Sequence, residues 1–254
     1  MKVESDPAFL LGVLGGMGPL ATVDFLAKLV SCTDAGGDAD HVPFVAASIP
    51  QIPSRPAAIL SGGASPLPAM LAVRDRLLAA GATLLAMPCN TAHHWHAQLA
   101  DGIGIPFLHI ADVAVAAIGA SVAEGDAVGV IATGATQAIG LYARRLERAG
   151  YRVVEPKSPV EVEAISDGIA SVKRGEAAVG GVRFAAVVAA LERAGAKAVV
   201  LGCTEVAPGL AAAGVRPGVP WIDPSGALAR ACVDAWRSGS VVAARPRRGR
   251  KGNP

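Results

Sequence analysis

The chain contains two stretches of nearly the same pattern, AGATLLAMPCNTA at residues 80–92 and AGAKAVVLGCTEV at residues 194–206. Each opens with Ala-Gly-Ala, runs through six residues of strand-like sequence and arrives at a cysteine, Cys89 in the first and Cys203 in the second. The two cysteines, at positions 89 and 203, are therefore 114 residues apart. A strand that ends each time at a cysteine predicts a chain built from two similar halves.

A second pair of stretches supports this division. LGVLGGMGP begins at Leu11 and VGVIATGAT begins at Val128, so these two are 117 residues apart. Because both pairs have nearly the same separation, we expect each half to open with a strand followed by a Gly- or Thr-rich turn. We predict that lobe 1 comprises residues 1–108 plus 219–243, completed by a C-terminal helix, and that lobe 2 comprises residues 109–218.

Short apolar runs alternate with Ala-rich stretches of helical spacing along the chain. MLAVRDRLLAAG at 70–81 is typical of these helices, and Gly81 suits the position just after a helix end, where a positive φ is common. Fully apolar strands separated by helices indicate a parallel sheet with both faces covered. We therefore predict an α/β fold of two doubly wound parallel-sheet lobes. The predicted strands are 9–15, 44–49, 83–87, 127–132 and 197–202, and the predicted helices are 21–30, 70–81, 137–149 and 176–194.

The composition is that of a globular protein and argues against nucleic-acid and membrane partners. Hydrophobic residues make up 52% and charged residues 17% of the 254 residues, which is ample material for a core. Much of the positive charge lies in ARPRRGRKGNP at 244–254, which we expect to be a disordered basic tail. The near-neutral remainder argues against a nucleic-acid partner. No apolar run reaches the ~18 residues of a membrane span, and MKVESDPAFL lacks the features of a signal peptide. We expect a cytoplasmic protein without a membrane partner.

The four cysteines are expected to be free thiols, because none belongs to a C-x-x-C spacing and the cytoplasm is reducing. Cys32 and Cys232 fit the small buried hydrophobic role that is common for cysteine. Cys89 and Cys203 differ, because both lie at the carboxyl ends of predicted strands, where α/β proteins bind ligands. N–H groups at a following helix start also favour a thiolate. Two such thiols across one cleft are suited to moving protons on opposite faces of a carbon, one as base and the other as acid.

Polar residues next to the two cysteines are candidates for binding a carboxylate, through side chains and backbone N–H groups. They are Asn90, Thr91, Thr204 and Glu205. The GGMGP turn at 15–19 lacks the full spacing of a dinucleotide-binding loop, so we expect no cofactor of that kind.

A zinc site is an alternative, because three histidines follow Cys89 at positions 93, 94 and 96. The adjacent pair His93 and His94 would point about 100° apart on a helix, and the spacing matches no usual structural zinc pattern. We therefore expect no metal. His93 lies four residues after Cys89, so it either covers the cysteine on one helical face or packs within the helix.

Six stretches occur in an order that resembles the cofactor-independent aspartate/glutamate racemases, and most closely the aspartate racemase branch. The combination of PCNTAH with GCTE is specific at this separation. Glutamate racemases carry Asp-Ser after the first strand, whereas this chain has GGMGP. The stretches are LGVLGGMGPLAT (11–22), PQIPSRPAAIL (50–60), MPCNTAH (87–93), IPFLHIAD (105–112), LGCTEV (201–206) and IDP (222–224).

The resemblance implies two lobes related by a pseudo-two-fold axis, an active site between them, and inversion of the α-carbon of an acidic amino acid without pyridoxal phosphate. Cys89 and Cys203 would be the catalytic acid and base. The partner would be a small acidic amino acid, with no cofactor and no metal, and the chain would form a homodimer. The substrate-binding residues implied are Met17, Gln51, Arg55, Asn90, Thr91, Thr133, Thr136, Lys173, Thr204 and Glu205.

Two other functions stay open on the sequence. Decarboxylases and cis–trans isomerases of the same superfamily often keep only one catalytic cysteine, whereas this chain has two. A two-lobed amino-acid-binding protein without turnover would have a similar fold but no use for facing thiols.

Overall fold

The computed structural model describes residues 9–119 and 122–239. The predicted basic tail at 244–254 lies outside these ranges. The strands are β1 Leu11–Gly15, β2 Phe44–Ser48, β3 Leu84–Ala86, β4 Ala127–Ile131, β5 Arg152–Val154, β6 Ala196–Leu201 and β7 Trp221–Ile222. The helices are α1 Pro19–Cys32, α2 Arg55–Leu60, α3 Leu67–Ala79, α4 His96–Ala100, α5 Ile110–Ala116, α6 Gly134–Ala138, α7 Ala143–Arg148, α8 Pro159–Lys173, α9 Ala177–Arg193, α10 Val206–Ala212 and α11 Pro224–Arg237.

The strands form two separate parallel sheets, one in each half. The first has the order β2-β1-β3 and the second has the order β5-β4-β6-β7. The opening strand of each half, β1 or β4, lies between its two neighbours, and its residues are completely buried. The predicted α/β fold of two parallel-sheet lobes is confirmed.

The two halves also have equivalent strand pairing at one edge of each sheet. In the first, Leu85 of β3 forms a parallel bridge with Phe107. In the second, Val199 of β6 pairs with Trp221 of β7. The backbone N–H of Leu85 donates to Pro106 O, and that of Val199 donates to Pro220 O, each at 3.0 Å. The internal repeat of the sequence is thus a repeat of strand pairing.

The helix that follows each edge segment crosses to the opposite lobe. Helix α11 packs against α1, and its Leu228 joins a core cluster with Leu11 and Phe25 of the first lobe. Helix α5 packs against α7, and its Ala114 joins a cluster with Val130 of the second lobe. Each sheet is therefore covered on one face by a helix from the other half.

Two local expectations need correction. The helix predicted at 137–149 is divided into α6 and α7, because Gly140 between them adopts φ +58°, which interrupts a right-handed helix. Within the segment 219–243, which we assigned to lobe 1, the short strand β7 pairs with β6 of the second sheet. Among the described residues of that segment, it is those of α11 that pack on the first lobe. Among the helices of residues 9–119 and 122–239, none combines the length and the apolar character of a membrane span.

Candidate active site

Cys89 and Cys203 occupy equivalent positions just beyond the carboxyl ends of β3 and β6. Both are 7% exposed, and both line one small cleft with a volume of about 40 Å³. Because β3 and β6 belong to different sheets, each lobe contributes one thiol to the same cleft. The fold thus brings together two residues that are 114 positions apart in the chain.

Most of the residues that the sequence singled out line this cleft, and two do not. Gln51 is exposed and lies outside the lining. Thr136 is buried behind Thr133 and also lies outside it. Pro56 also lines the cleft, although it was not among the predicted site residues. The full lining is Met17, Arg55, Pro56, Cys89, Asn90, Thr91, Thr133, Lys173, Cys203, Thr204 and Glu205.

Arg55 is held rigidly at the start of α2. Its Nη1 donates to the carbonyls of Ile52 and Pro53, each at 2.9 Å, and its Nη2 donates to Met17 O at 3.1 Å. Its Nε is buried and has no hydrogen-bond partner among the described residues. A guanidinium with a fixed orientation and an unused N–H can bind a carboxylate through a planar pair of donors.

The side chain of Asn90 is held in its orientation by a residue of the other lobe. The hydroxyl of Tyr142, which directly precedes α7, donates a hydrogen bond to Asn90 Oδ1. The Asn90 Nδ2 is buried and, within the described ranges, has no hydrogen-bond partner. The amide therefore has its oxygen committed to Tyr142 and its two N–H donors uncommitted.

Three threonine hydroxyls form a second contact between the lobes. Thr91 Oγ1 lies 2.8 Å from Thr136 Oγ1 and 3.3 Å from Thr133 Oγ1. Thr133 is the N-cap of α6 and accepts a hydrogen bond from the backbone N–H of Thr136 at 3.1 Å. Thr133 reaches the cleft, whereas Thr136 supports Thr91 and Thr133 from behind.

The Glu205 carboxylate accepts a hydrogen bond from Cys203. The Cys203 thiol donates to Glu205 Oε2 at 2.9 Å, and the Thr204 hydroxyl donates to the same oxygen at 3.1 Å. Lys173 Nζ lies 3.9 Å from the other carboxylate oxygen, Oε1. Burial raises the pKa of the Cys203 thiol well above its usual value, and the negative charge of Glu205 and the hydrogen bond to it raise this pKa further. Cys203 is therefore held as a thiol.

Cys89 has a different electrostatic environment. Burial raises the pKa of its thiol above its usual value, and the positive charge of Arg55 and a hydrogen bond to the backbone of Ala92 offset only part of this rise. The charge of Lys173 also lowers this pKa, and that of Glu205 raises it. The two thiols are thus unequal, and Cys89 is the one that loses its proton more readily.

The histidines next to Cys89 do not face the cleft. His93 Nδ1 lies 2.8 Å from Cys89 O, and its Nε2 accepts from the backbone N–H of Ile110 at 3.1 Å. Burial holds the pKa of His93 well below its usual value, so it is neutral. Among the described residues, no group of three or more His, Cys, Asp or Glu side chains is placed to hold a metal ion.

Comparison with known proteins now decides the family. Residues 14–232 match the family model described as Asp/Glu/Hydantoin racemase, which is most of the chain. The chain belongs to this racemase family.

Individual relatives agree with the family assignment. An aspartate racemase from Picrophilus torridus has the same fold with a TM-score of 0.78 and 29% identity, over 91% of this chain and 95% of that one. A glutamate racemase from Francisella tularensis, solved with D-glutamate, has a TM-score of 0.64 at 16% identity, over 95% and 85% of the two chains, which supports the fold. The broad specificity amino-acid racemase RacX of Bacillus subtilis is 28% identical over 116 residues, 41% of this chain and 46% of RacX. That match therefore spans about half of the curated relative.

Besides Pro56, Tyr142 is a residue of this site that the sequence did not predict; it does not line the cleft but is hydrogen-bonded to Asn90, which does. Tyr142 lies in the predicted helix 137–149, where an aromatic residue in an Ala-rich stretch is expected to pack in the core. Its ring does pack there and is 1% exposed. The only sequence signal for a further role is the phenol hydroxyl itself, which needs a hydrogen-bond partner when it is buried.

Proposed function

We propose that the protein is a cofactor-independent racemase that interconverts L- and D-aspartate by two-base proton transfer between Cys89 and Cys203. The observation that carries the proposal is the pair of buried thiols, one from each lobe, in a single cleft that also contains Arg55. Family membership and the likeness to an aspartate racemase support the reaction class and the acidic substrate.

The unequal environments of the thiols assign a role to each in the resting enzyme. Cys89 gives up its proton more readily, so it acts as the thiolate base and removes the α-proton of one enantiomer. As this C–H bond breaks and an S–H bond forms on Cys89, the electron pair passes to the α-carbon and its carboxylate. Cys203, held as a thiol by Glu205, then delivers its proton to the opposite face. The next substrate molecule of opposite hand reverses these roles.

The two substrate carboxylates find different donors in the cleft. The α-carboxylate is bound by the Asn90 side chain, the Thr91 hydroxyl and the backbone N–H of Thr204, since the Thr204 hydroxyl already donates to Glu205. These donors stabilise the charge that develops during proton abstraction. The side-chain carboxylate is bound by Arg55, whose Nε is uncommitted among the described residues, with Lys173 as a second positive charge. A dicarboxylate therefore finds neutral hydrogen-bond donors at one end of the cleft and positive charge at the other.

Hydrogen exchange at the α-carbon tests the proposal directly. The protein is incubated with L-aspartate in D₂O, and both α-deuterium and D-aspartate are followed by NMR and chiral chromatography. We expect both to appear with wild type. Cys89→Ser and Cys203→Ser should each lower racemisation by at least about 100-fold, because a positioned acid or base contributes roughly 10² to 10⁴ in rate.

The chain offers a matched control, because Cys32 is a free thiol away from the cleft. Cys32→Ser is expected to keep wild-type activity. Full activity in both active-site cysteine variants would contradict the two-base mechanism. Aspartate binding without any α-deuterium in wild type would instead indicate an amino-acid-binding protein. Malonates and maleate are tested in parallel, because turnover of either would indicate a decarboxylase or an isomerase.

A further inference from the structure

The hydroxyl of Tyr142 is the one polar group of that side chain, and it is hydrogen-bonded to Asn90. The ring is 1% exposed, and its hydroxyl donates to Asn90 Oδ1 across the boundary between the lobes. Two residues that are 52 positions apart are joined by this bond. A buried side-chain bond of this kind fixes the orientation of the acceptor, because the alternative leaves polar atoms unpaired.

The bond decides which end of the Asn90 amide is available to a ligand. An amide can rotate by 180° and exchange its oxygen for its –NH₂, and these two ends have opposite effects on an anion. With Oδ1 bonded to Tyr142, the uncommitted end is Nδ2, which is buried and unpaired among the described residues. Asn90 itself lines the cleft with both cysteines.

The position of Tyr142 is constrained by its neighbours. Gly202, which immediately precedes Cys203, has no side chain, and a Cβ there would lie 2.9 Å from Tyr142 Cε2. The ring therefore packs against the backbone that carries one thiol while its hydroxyl holds the residue that follows the other thiol. Burial raises the pKa of Tyr142 well above its usual value, so the hydroxyl keeps the proton that it donates.

We propose that Tyr142 is a positioning residue, which holds the Asn90 –NH₂ toward the cleft so that it donates to the α-carboxylate of the substrate. This inference rests on the proposed function of the site and adds a residue from the second lobe to it. Tyr142 does not touch the substrate. It acts through Asn90, and it makes correct orientation of that amide depend on the two lobes being packed together.

Tyr142→Phe removes the hydroxyl and keeps the ring in its packing site. Without the bond, the Asn90 amide populates both orientations, and the wrong one presents oxygen to a carboxylate. We expect kcat/KM for aspartate to fall roughly tenfold or more, because losing a hydrogen bond to a charged group weakens binding by about this factor. KM should rise, and kcat should fall as well, because Asn90 also stabilises the charge that develops during proton abstraction. Tyr151→Phe is the matched control, since Tyr151 is the other tyrosine of the chain and lies outside the cleft.

A double-mutant cycle with Asn90→Ala separates positioning from packing. If Tyr142 acts through Asn90, Tyr142→Phe changes kcat/KM by less than about twofold once Asn90 is alanine, because coupled residues are not additive. An equal loss in both backgrounds would overturn the proposal, as would wild-type kinetics for Tyr142→Phe alone.

A binding measurement tests the role of Tyr142 without relying on turnover. L-Aspartate is titrated by calorimetry into the Cys89→Ser Cys203→Ser protein with and without Tyr142→Phe. The expected result is a Kd about tenfold weaker without the hydroxyl, and an unchanged Kd overturns the inference. If wild type binds aspartate but does not exchange its α-proton, the proposed function fails while the Kd comparison still decides the role of Tyr142. If wild type does not bind aspartate, both fail.

Discussion

Glu205 contributes to the difference between the two cysteines of the cleft. It accepts hydrogen bonds from both Cys203 and Thr204, and the equivalent position in the first lobe, two residues after Cys89, is Thr91. After burial, its charge is the next largest cause that raises the pKa of Cys203, and it also contributes to raising that of Cys89. Glu205 thus adds to the difference between the two thiols, together with Arg55, whose charge lowers the pKa of Cys89.

Glu205→Gln should move the pH dependence of racemisation toward lower pH. The acidic limb of kcat/KM follows loss of a proton from Cys89, and the alkaline limb follows loss of the proton that Cys203 must donate. Removing the negative charge lowers the pKa of both thiols, and that of Cys203 more. We expect both limbs to shift downward, with the alkaline limb shifting further, in a kcat/KM profile measured by chiral assay.

The control for this experiment is Glu163→Gln, an exposed carboxylate on α8 that lies outside the cleft. Its profile should coincide with that of wild type. A Glu205→Gln profile with both limbs unmoved would mean that the charge of Glu205 does not govern the thiols.

Arg55→Lys tests whether geometry or charge binds the side-chain carboxylate. Lysine keeps the charge but loses the planar pair of donors and cannot reproduce three bonds to backbone carbonyls. We expect KM for aspartate to rise by roughly tenfold or more, from the loss of a bidentate charge-assisted contact. Arg183→Lys, on the surface of α9, should leave KM unchanged. Equal KM values for Arg55→Lys and wild type would remove Arg55 from the binding site.

At the scale of elements, the close approach of α9 to α10 sets the position of Glu205, which directly precedes α10. Gly181 of α9 lies against the backbone of Gly209 in α10, and a Cβ at Gly181 would be 1.9 Å from Gly209 O. The nearest side chain, Ala213 Cβ, would be only 2.7 Å away. The two helices can therefore be this close only because residue 181 has no side chain.

Gly181→Ala should destabilise the protein although alanine favours a helix interior by about 1 kcal/mol over glycine. The methyl group collides with backbone, which cannot move away as a flexible side chain could, so the helices must separate. We expect a net loss of about 2 kcal/mol in the free energy of unfolding, measured by urea denaturation. Gly37→Ala is the control, since a Cβ at Gly37 meets nothing within 4 Å. A Gly181→Ala protein as stable as wild type would contradict this packing.

Elements were predictable from the sequence where local pattern determines them. The apolar runs located five of the seven strands in the described residues to within two residues at their ends, whereas the short strands β5 and β7 were not predicted. Gly81 adopts φ +91° just after α3, as its position predicted. The repeat ending at Cys89 and Cys203 located both thiols of the cleft. Tyr142 and Gly181 were not predictable as special, because their roles depend on distant residues, Asn90 and Gly209, whose proximity follows only from the packing of complete lobes.

At the scale of the molecule, the exchanged helices α5 and α11 make the two lobes interdependent. Each lobe has its own sheet, but the covering helix on one face of that sheet follows the edge strand of the other lobe. Neither lobe can bury its sheet completely without the other. Because the cleft is formed by residues from both lobes, the same exchange that stabilises the fold also holds the two thiols in position.

Leu228→Ala tests this interdependence, because Leu228 lies on α11 near the end of the chain and is 0% exposed in the core of the first lobe. Deleting a fully buried leucine side chain typically costs about 2–5 kcal/mol. If the lobes unfold as one cooperative unit, native-state hydrogen exchange should show the same loss of protection in β1 of the first lobe and β4 of the second. Loss confined to β1 would show that the lobes unfold separately. Equal loss in both strands means that a substitution in α11 destabilises the sheet of each lobe, and with it the geometry that brings Cys89 and Cys203 into one cleft.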